Sequence, residues 1–123
     1  MPTLSVISVI DDDASVRAAT SNLLGSHGYP VQTFASAEEF LRSAQLNDSA
    51  CVIADVQMPA MNGLDLLTHM RNQGHKAPFI FITAFPEESV RARALKAGAI
   101  CFLTKPFSCV ETALKRDRGR TGE

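Results

Sequence analysis

Ala50 to Gly63, ACVIADVQMPAMNG, decides the fold. Ala50 to Ala54 is a short apolar run of the kind that forms a strand buried on both faces of a parallel sheet. Asp55 is its last residue. Met58-Pro59 ends the extended segment, because proline pushes the residue before it out of helical geometry, and Asn62-Gly63 supplies turn residues before the next helix. A carboxylate is thus expected at the carboxyl end of a buried strand, facing a loop. Alone, such an acid reads as a helix cap or as the point where a strand meets water.

Other apolar runs end the same way. Ser5 to Ile10 runs into Asp11, Asp12 and Asp13, Phe79 to Ile82 into Thr83, and Cys101 to Leu103 through Thr104 into Lys105-Pro106. In open α/β sheets the ligand crevice lies outside the carboxyl ends of the strands, so these carboxylates, hydroxyl and ammonium are expected to converge.

The chain between these points alternates strand and helix. Leu4 to Ile10 is expected as the first strand and Ala14 to Leu24 as the first helix, with Val16, Ala19, Leu23 and Leu24 on one stripe before Gly25 and Gly28. Val31 to Phe34 follows as a strand. Ser36 and Glu39 form a capping box for a second helix that buries Ala37, Phe40, Leu41 and Ala44. Gly63 to Asn72 reads as a third helix facing inward with Leu64, Leu67 and Met70. Phe79 to Ile82 is a strand, and Pro86-Glu87-Glu88 opens a helix that runs to Ala97. A strand at Ile100 to Leu103 and a fifth helix from Pro106, with Val110, Ala113 and Leu114 as its apolar contacts, complete the pattern. Five strands alternating with five helices call for a parallel sheet covered on both faces, with right-handed crossovers.

Composition narrows the function. At 123 residues the chain suits one domain, and its 12 basic and 13 acidic residues give a net charge of -1, which argues against nucleic acid or an anionic membrane as its main partner. No apolar run approaches the roughly 20 residues of a membrane span, and the amino terminus lacks a signal peptide's basic region and cleavage site. A cytoplasmic location is expected. Cys51, Cys101 and Cys109 contain no Cys-x-x-Cys pair, and His27, His69 and His75 lie away from the strand ends, so neither type is assigned a function. The tail Lys115 to Glu123, KRDRGRTGE, has no apolar residue and reads as a frayed end or linker.

Asp11, Asp12, Asp55, Thr83 and Lys105, each at a strand end, together resemble the receiver domain of two-component response regulators. The motifs are VIDDD at 9–13, ADVQMPAMNG at 54–63, FITAF at 81–85 and KAGAICFLTKPF at 96–107, and ADVQMPAMNGLDLL with AFPEESVRARALKAGA is similar to the FixJ-type subfamily. The resemblance implies a flavodoxin-like (βα)5 three-layer sandwich with strand order 2-1-3-4-5, a receiver over 1–116, and a charged tail or linker over 117–123 leading to an output domain. It makes Asp55 the phosphoacceptor. Carboxylates gathered in one crevice repel each other unless a cation sits between them, and Mg²⁺, with Mn²⁺ as a substitute, suits oxygen donors and phosphate. By resemblance, Asp12, Asp55 and the backbone carbonyl of Gln57 would ligate the metal and Asp11 would act through water.

The same resemblance pairs Lys105 with the phosphoryl oxygens and turns the Thr83 hydroxyl toward them. Two charge-assisted hydrogen bonds of about 1.5–3 kcal/mol each are of the size, about 5.5 kcal/mol, that moves a two-state switch from 1:99 to 99:1. Phe102 matches the family's aromatic switch position, Gln57 and Phe85 its positions for tuning phosphoryl lifetime, and the Lys105-Pro106 bond one that is usually cis. Phe85 is large and apolar, which implies hindered water access and a long-lived phosphoryl group. The implied partners are a histidine kinase, an output domain or downstream protein reached through helix four, strand five and helix five, and a second copy in a phosphorylation-dependent homodimer. No turnover of a separate substrate is expected.

Other readings compete with this one. Asp11-Asp12-Asp13 also contains the Asp-x-Asp of haloacid-dehalogenase-type phosphatases, in which Asp11 would be the nucleophile and Asp13 the acid. That family requires a later acidic pair for its metal, and no such pair follows a strand here. A receiver fold used as a phosphorylation-independent docking module is the other alternative.

Overall fold

The computed structural model describes residues 6–43, 49–83 and 87–104, with Leu103 and Thr104 described in backbone only. In chain order the elements are β1 (Val6–Ile10), α1 (Ala14–Ser26), β2 (Val31–Phe34), α2 (Ala37–Leu41), β3 (Ser49–Asp55), α3 (Gly63–Asn72), β4 (Phe79–Thr83), α4 (Glu88–Lys96) and β5 (Cys101–Thr104). The strands form one parallel sheet in the order β2-β1-β3-β4-β5, the expected flavodoxin-like topology. Expected Ala44, Phe85, Pro86, Lys105, Pro106, the fifth helix and the tail lie outside the described residues, as do Leu4 and Ser5 of the expected first strand.

Side-chain alternation along the central strands builds a core on each face. Ile10, Val52, Ala54, Phe79 and Phe81 pack with Phe40, Leu66, Leu67 and Met70 on one side. Ile7, Val9, Ile53, Ile80 and Ile82 pack with Leu24 and Cys51 on the other.

The starts of α1, α2 and α3 follow from short polar caps, whereas Glu87 at the start of α4 makes no side-chain cap bond. Asp13 Oδ1 accepts from the Ser15 and Val16 amides at 2.8 and 3.3 Å, and Asn62 Oδ1 from the Asp65 amide at 2.9 Å. At α2 the Ser36 hydroxyl accepts from the Glu39 amide, while Glu39 Oε1 reaches back to the Ala35 amide, one residue earlier than a regular capping box would. The starts face the carboxyl edge of the sheet, where the functional strand ends lie.

Several boundaries and faces differ from expectation. α1 runs on to Ser26, so Gly25 is helical and the turn comes at Gly28. Thr20 and Leu24 are its buried residues, four apart on one face, whereas Val16, Ala19 and Leu23 are half-buried. Leu66 joins Leu67 and Met70 in the core while Leu64 is half-buried; the buried set 63, 66, 67 and 70 follows the i, i+3, i+4, i+7 pattern, of which spacing by threes catches only one side. β4 and β5 each end one residue later than expected, on Thr83 and Thr104, which pair in register.

Candidate phosphoacceptor site

The site is built on the ends of β1 and β3, which are adjacent in the sheet. Asp11 follows β1 and is fully buried, Asp12 is exposed, and Asp55 closes β3 at 6% exposure. One carboxylate oxygen from each of the three lies within 4.8 Å of the others. Ile10 pairs with Ala54 in register, so Asp11 and Asp55, one residue further along their strands, come side by side.

Backbone amides orient two of the acids. Asp55 Oδ1 accepts from the Gln57 amide at 2.8 Å, and Asp11 Oδ1 from the Asp13 amide at 2.9 Å, each an Asx turn that aims the side chain back along its own loop. The Asp11 amide is itself tied to the Phe34 carbonyl of β2 at 3.1 Å, and the Val56 amide to the Ile82 carbonyl of β4 at 3.2 Å. The loops are therefore continuations of the sheet ladder. Asp13, the general acid of the phosphatase alternative, is engaged as the α1 cap.

Thr83 ends β4, beside Asp55 in the sheet and 1% exposed. Phe102 lies on β5 in register with Phe81, half-buried and packed against the core cluster. The Gln57 side chain is exposed, and its backbone belongs to the loop that carries Asp55. His27, His69 and His75 take no part in the acidic group, and Cys51 is buried in the core while Cys101 is half-buried.

Two residues that sequence reasoning did not assign to the site contribute to its frame. Arg17 Nη1 donates to the Asp11 carbonyl at 2.7 Å, from one turn into α1. Gly63, expected as a simple turn residue, is buried against the Asp55 carbonyl. A basic residue four positions after the Asp13 cap was the available signal for Arg17; nothing in the linear order signals the contact at Gly63.

The donor set is suited to a hard divalent cation. It consists of carboxylate oxygens alone, without histidine or cysteine, and two of its members are buried, which fits Mg²⁺ or Mn²⁺ and disfavours softer metals.

Residues 7–115 match the response regulator receiver domain family. The chain belongs to that family. The receiver is 42% identical over 103 residues to the response regulator protein TodT of Pseudomonas putida, covering 84% of this chain and 45% of TodT. It is 35% identical over 122 residues to the transcriptional regulatory protein FixJ of Bradyrhizobium diazoefficiens, covering 94% of this chain and 60% of FixJ. It superposes on the crystal structure of FixJ-N with a TM-score of 0.81 at 31% identity, with 94% of each chain covered. The receiver spans about half the length of the curated relatives it matches. Receiver domains are signalling modules of two-component systems that bind Mg²⁺ in an acidic pocket and turn over no metabolite. Among the described residues, no helix is long and apolar enough to cross a membrane.

Proposed function

We propose that this receiver accepts a phosphoryl group from a histidine kinase on Asp55 and passes the resulting change of state to an output domain or partner. The observation that carries the reading is the meeting of Asp11, Asp12 and Asp55 within 4.8 Å at the carboxyl ends of β1 and β3. Asp12, Asp55 and the Gln57 carbonyl would hold Mg²⁺, with Asp11 acting through water. When bound, the ion supplies charge neutralisation for the carboxylates and the phosphoryl oxygens.

The residues divide the remaining work. A carboxylate oxygen of Asp55 attacks phosphorus in line while the bond to the donor's histidine nitrogen breaks, leaving an aspartyl phosphate. The Gln57 amide keeps the carboxylate aimed before attack. Lys105 then pairs with the phosphoryl oxygens and the Thr83 hydroxyl turns toward them, drawing β4 and β5 into the activated arrangement with Phe102 following. Gln57 and Phe85 govern water access and so the lifetime of the modification. The receiver occupies 1–116, residues 117–123 begin a linker to a transcriptional output domain, phosphorylation favours a homodimer, and the protein works in the cytoplasm without contacting nucleic acid through this domain.

Intact-mass measurement after incubation with acetyl phosphate and Mg²⁺ tests the reading. One phosphoryl group should be gained by the parent and none by Asp55→Asn. Persistence of labelling in Asp55→Asn together with its loss in Asp11→Asn would instead favour the phosphatase-like alternative.

A further inference from the structure

The turn between β3 and α3 brings a backbone to an unusually close approach. A Cβ built on Gly63 would lie 2.7 Å from the Asp55 carbonyl oxygen, 2.8 Å from Phe81 Cε1 and 3.1 Å from Val56 Cα. Two of these three atoms are backbone of the acceptor and its neighbour, which have no rotamer by which to move aside. The contact is locked from both ends. The Gly63 amide donates to the Val56 carbonyl at 3.0 Å, and the Asp55 carboxylate accepts from the Gln57 amide at 2.8 Å inside the same loop. The Val56 amide is in turn fastened to β4 through the Ile82 carbonyl.

We infer that Gly63 is a positioning residue for Asp55: its lack of a side chain lets the first turn of α3 press the loop against the acceptor's backbone and so fixes where the carboxylate points. A methyl group there must displace the Asp55 carbonyl, the α3 terminus or the Phe81 ring. The strand and the helix are each anchored in the core, through Ile53 and Ala54 and through Leu66 and Leu67. The loop that carries the Asp55 to Gln57 hydrogen bond is therefore the part that yields. It carries Ala60 at φ 64°, the one non-glycine residue with positive φ among those described, so it has little slack to absorb the shift.

The inference rests on Asp55 as the phosphoacceptor, and the test separates the two. Gly63→Ala is compared with the parent and with Gly28→Ala, a glycine of positive φ at the far edge of the sheet with nothing within 4 Å of an added Cβ. Mg²⁺ affinity is read by calorimetry, labelling by acetyl phosphate, and the fold by backbone amide spectra. Gly63→Ala should weaken Mg²⁺ binding severalfold and slow labelling by about tenfold or more, in keeping with the roughly hundredfold cost of a 1 Å misplacement. Gly28→Ala should lose stability and leave both unchanged. A parent that binds Mg²⁺ but takes no label overturns the acceptor assignment, while the change in Mg²⁺ affinity still reads the positioning role. A folded Gly63→Ala whose affinity and labelling rate match the parent overturns the positioning role alone. If Gly63→Ala does not fold, Ala60→Gly/Gly63→Ala replaces it: a refolded chain with weakened Mg²⁺ binding supports the role. Parental binding in that chain, or its failure to fold, overturns it.

Discussion

The two edges of the sheet are built from the same alternation of strand and helix but end their turns by opposite means. At the edge where helices run into strands, α1, α3 and α4 close with one device. Gly28, Gly74 and Gly98 take positive φ, each donates to the carbonyl three residues back, and the residue after each donates to the carbonyl five back. This pair of hydrogen bonds satisfies two of the last helical carbonyls with backbone alone. Arg71 adds a fastening there, donating to the His75 and Ala77 carbonyls at 3.0 Å each and lying 5.5 Å from the centre of the Phe79 ring. At the opposite edge, where strands run into helices, the amides are satisfied by the side chains of Asp13, Asn62, Asp11 and Asp55, and three carboxylates converge. One edge is finished mainly by its own backbone, and the other keeps concentrated negative charge that a divalent cation can answer.

That contrast is tested most severely at Asp55. Asp55→Asn should remove labelling by acetyl phosphate entirely while leaving a folded chain, because the amide keeps an oxygen that can accept from the Gln57 amide. Mass spectrometry of the labelled chains checks it, and a phosphoryl group gained by the Asp55→Asn variant would break the comparison at its centre. Next in size is the response to Mg²⁺. An ion that binds only the folded chain stabilises it by about 2.7 kcal/mol at a hundred times its dissociation constant. Thermal unfolding with and without Mg²⁺ should show that gain in the parent and most of it lost in Asp12→Ala, which withdraws one carboxylate from the group.

The opposite edge should behave in the reverse way. Arg71→Ala removes two hydrogen bonds from a guanidinium to half-buried carbonyls and a ring contact, so a loss of roughly 2 kcal/mol in unfolding free energy is expected. Labelling rate and Mg²⁺ affinity should stay at the parent's values. Arg71→Lys should recover only part of the loss, since an ammonium lacks the planar fork that serves two carbonyls at once. Denaturant unfolding paired with labelling measures both halves, and a change in labelling would show that the two edges are coupled.

Much of this division could be read in the chain before any coordinates. Acids placed directly after apolar runs at Ile10 and Ala54 locate the strand ends, and the topology of a parallel α/β sheet then brings Asp11, Asp12 and Asp55 together. The cap residues Asp13, Ser36 and Asn62 announce themselves because their chemistry is local. What stayed hidden depends on contacts between distant segments. Leu66 is buried on the face that α3 turns to the sheet, which spacing by threes does not reveal, while Arg17, six residues from the Asp11 carbonyl it reaches, had only its place after the Asp13 cap as a signal. Gly63 resembles any turn glycine until Phe81 and the Asp55 carbonyl are seen against it. Thr20 shows the same limit: a hydroxyl inside a helical stripe gives no sign that it will be fully buried.

The smallest effect is expected at Ala60, and it bears on why the acceptor loop tolerates a strained residue. An L-residue in the left-handed region costs about 1 kcal/mol, whereas glycine is free to adopt it but loses more backbone entropy on folding, about 0.5 kcal/mol or more. Ala60→Gly should therefore raise stability by roughly 0.5 kcal/mol, a shift of about 2–3 °C in melting temperature. The corresponding change at the other edge, Gly74→Ala, puts a methyl group on a residue at φ 88° and should lower stability by about 1 kcal/mol. If Ala60→Gly gains stability at unchanged labelling, the strain is incidental to the chemistry. If it gains stability and labels more slowly, the alanine holds the Asp55 loop in a geometry that glycine lets drift, and the strained turn belongs to the machinery of the acidic edge.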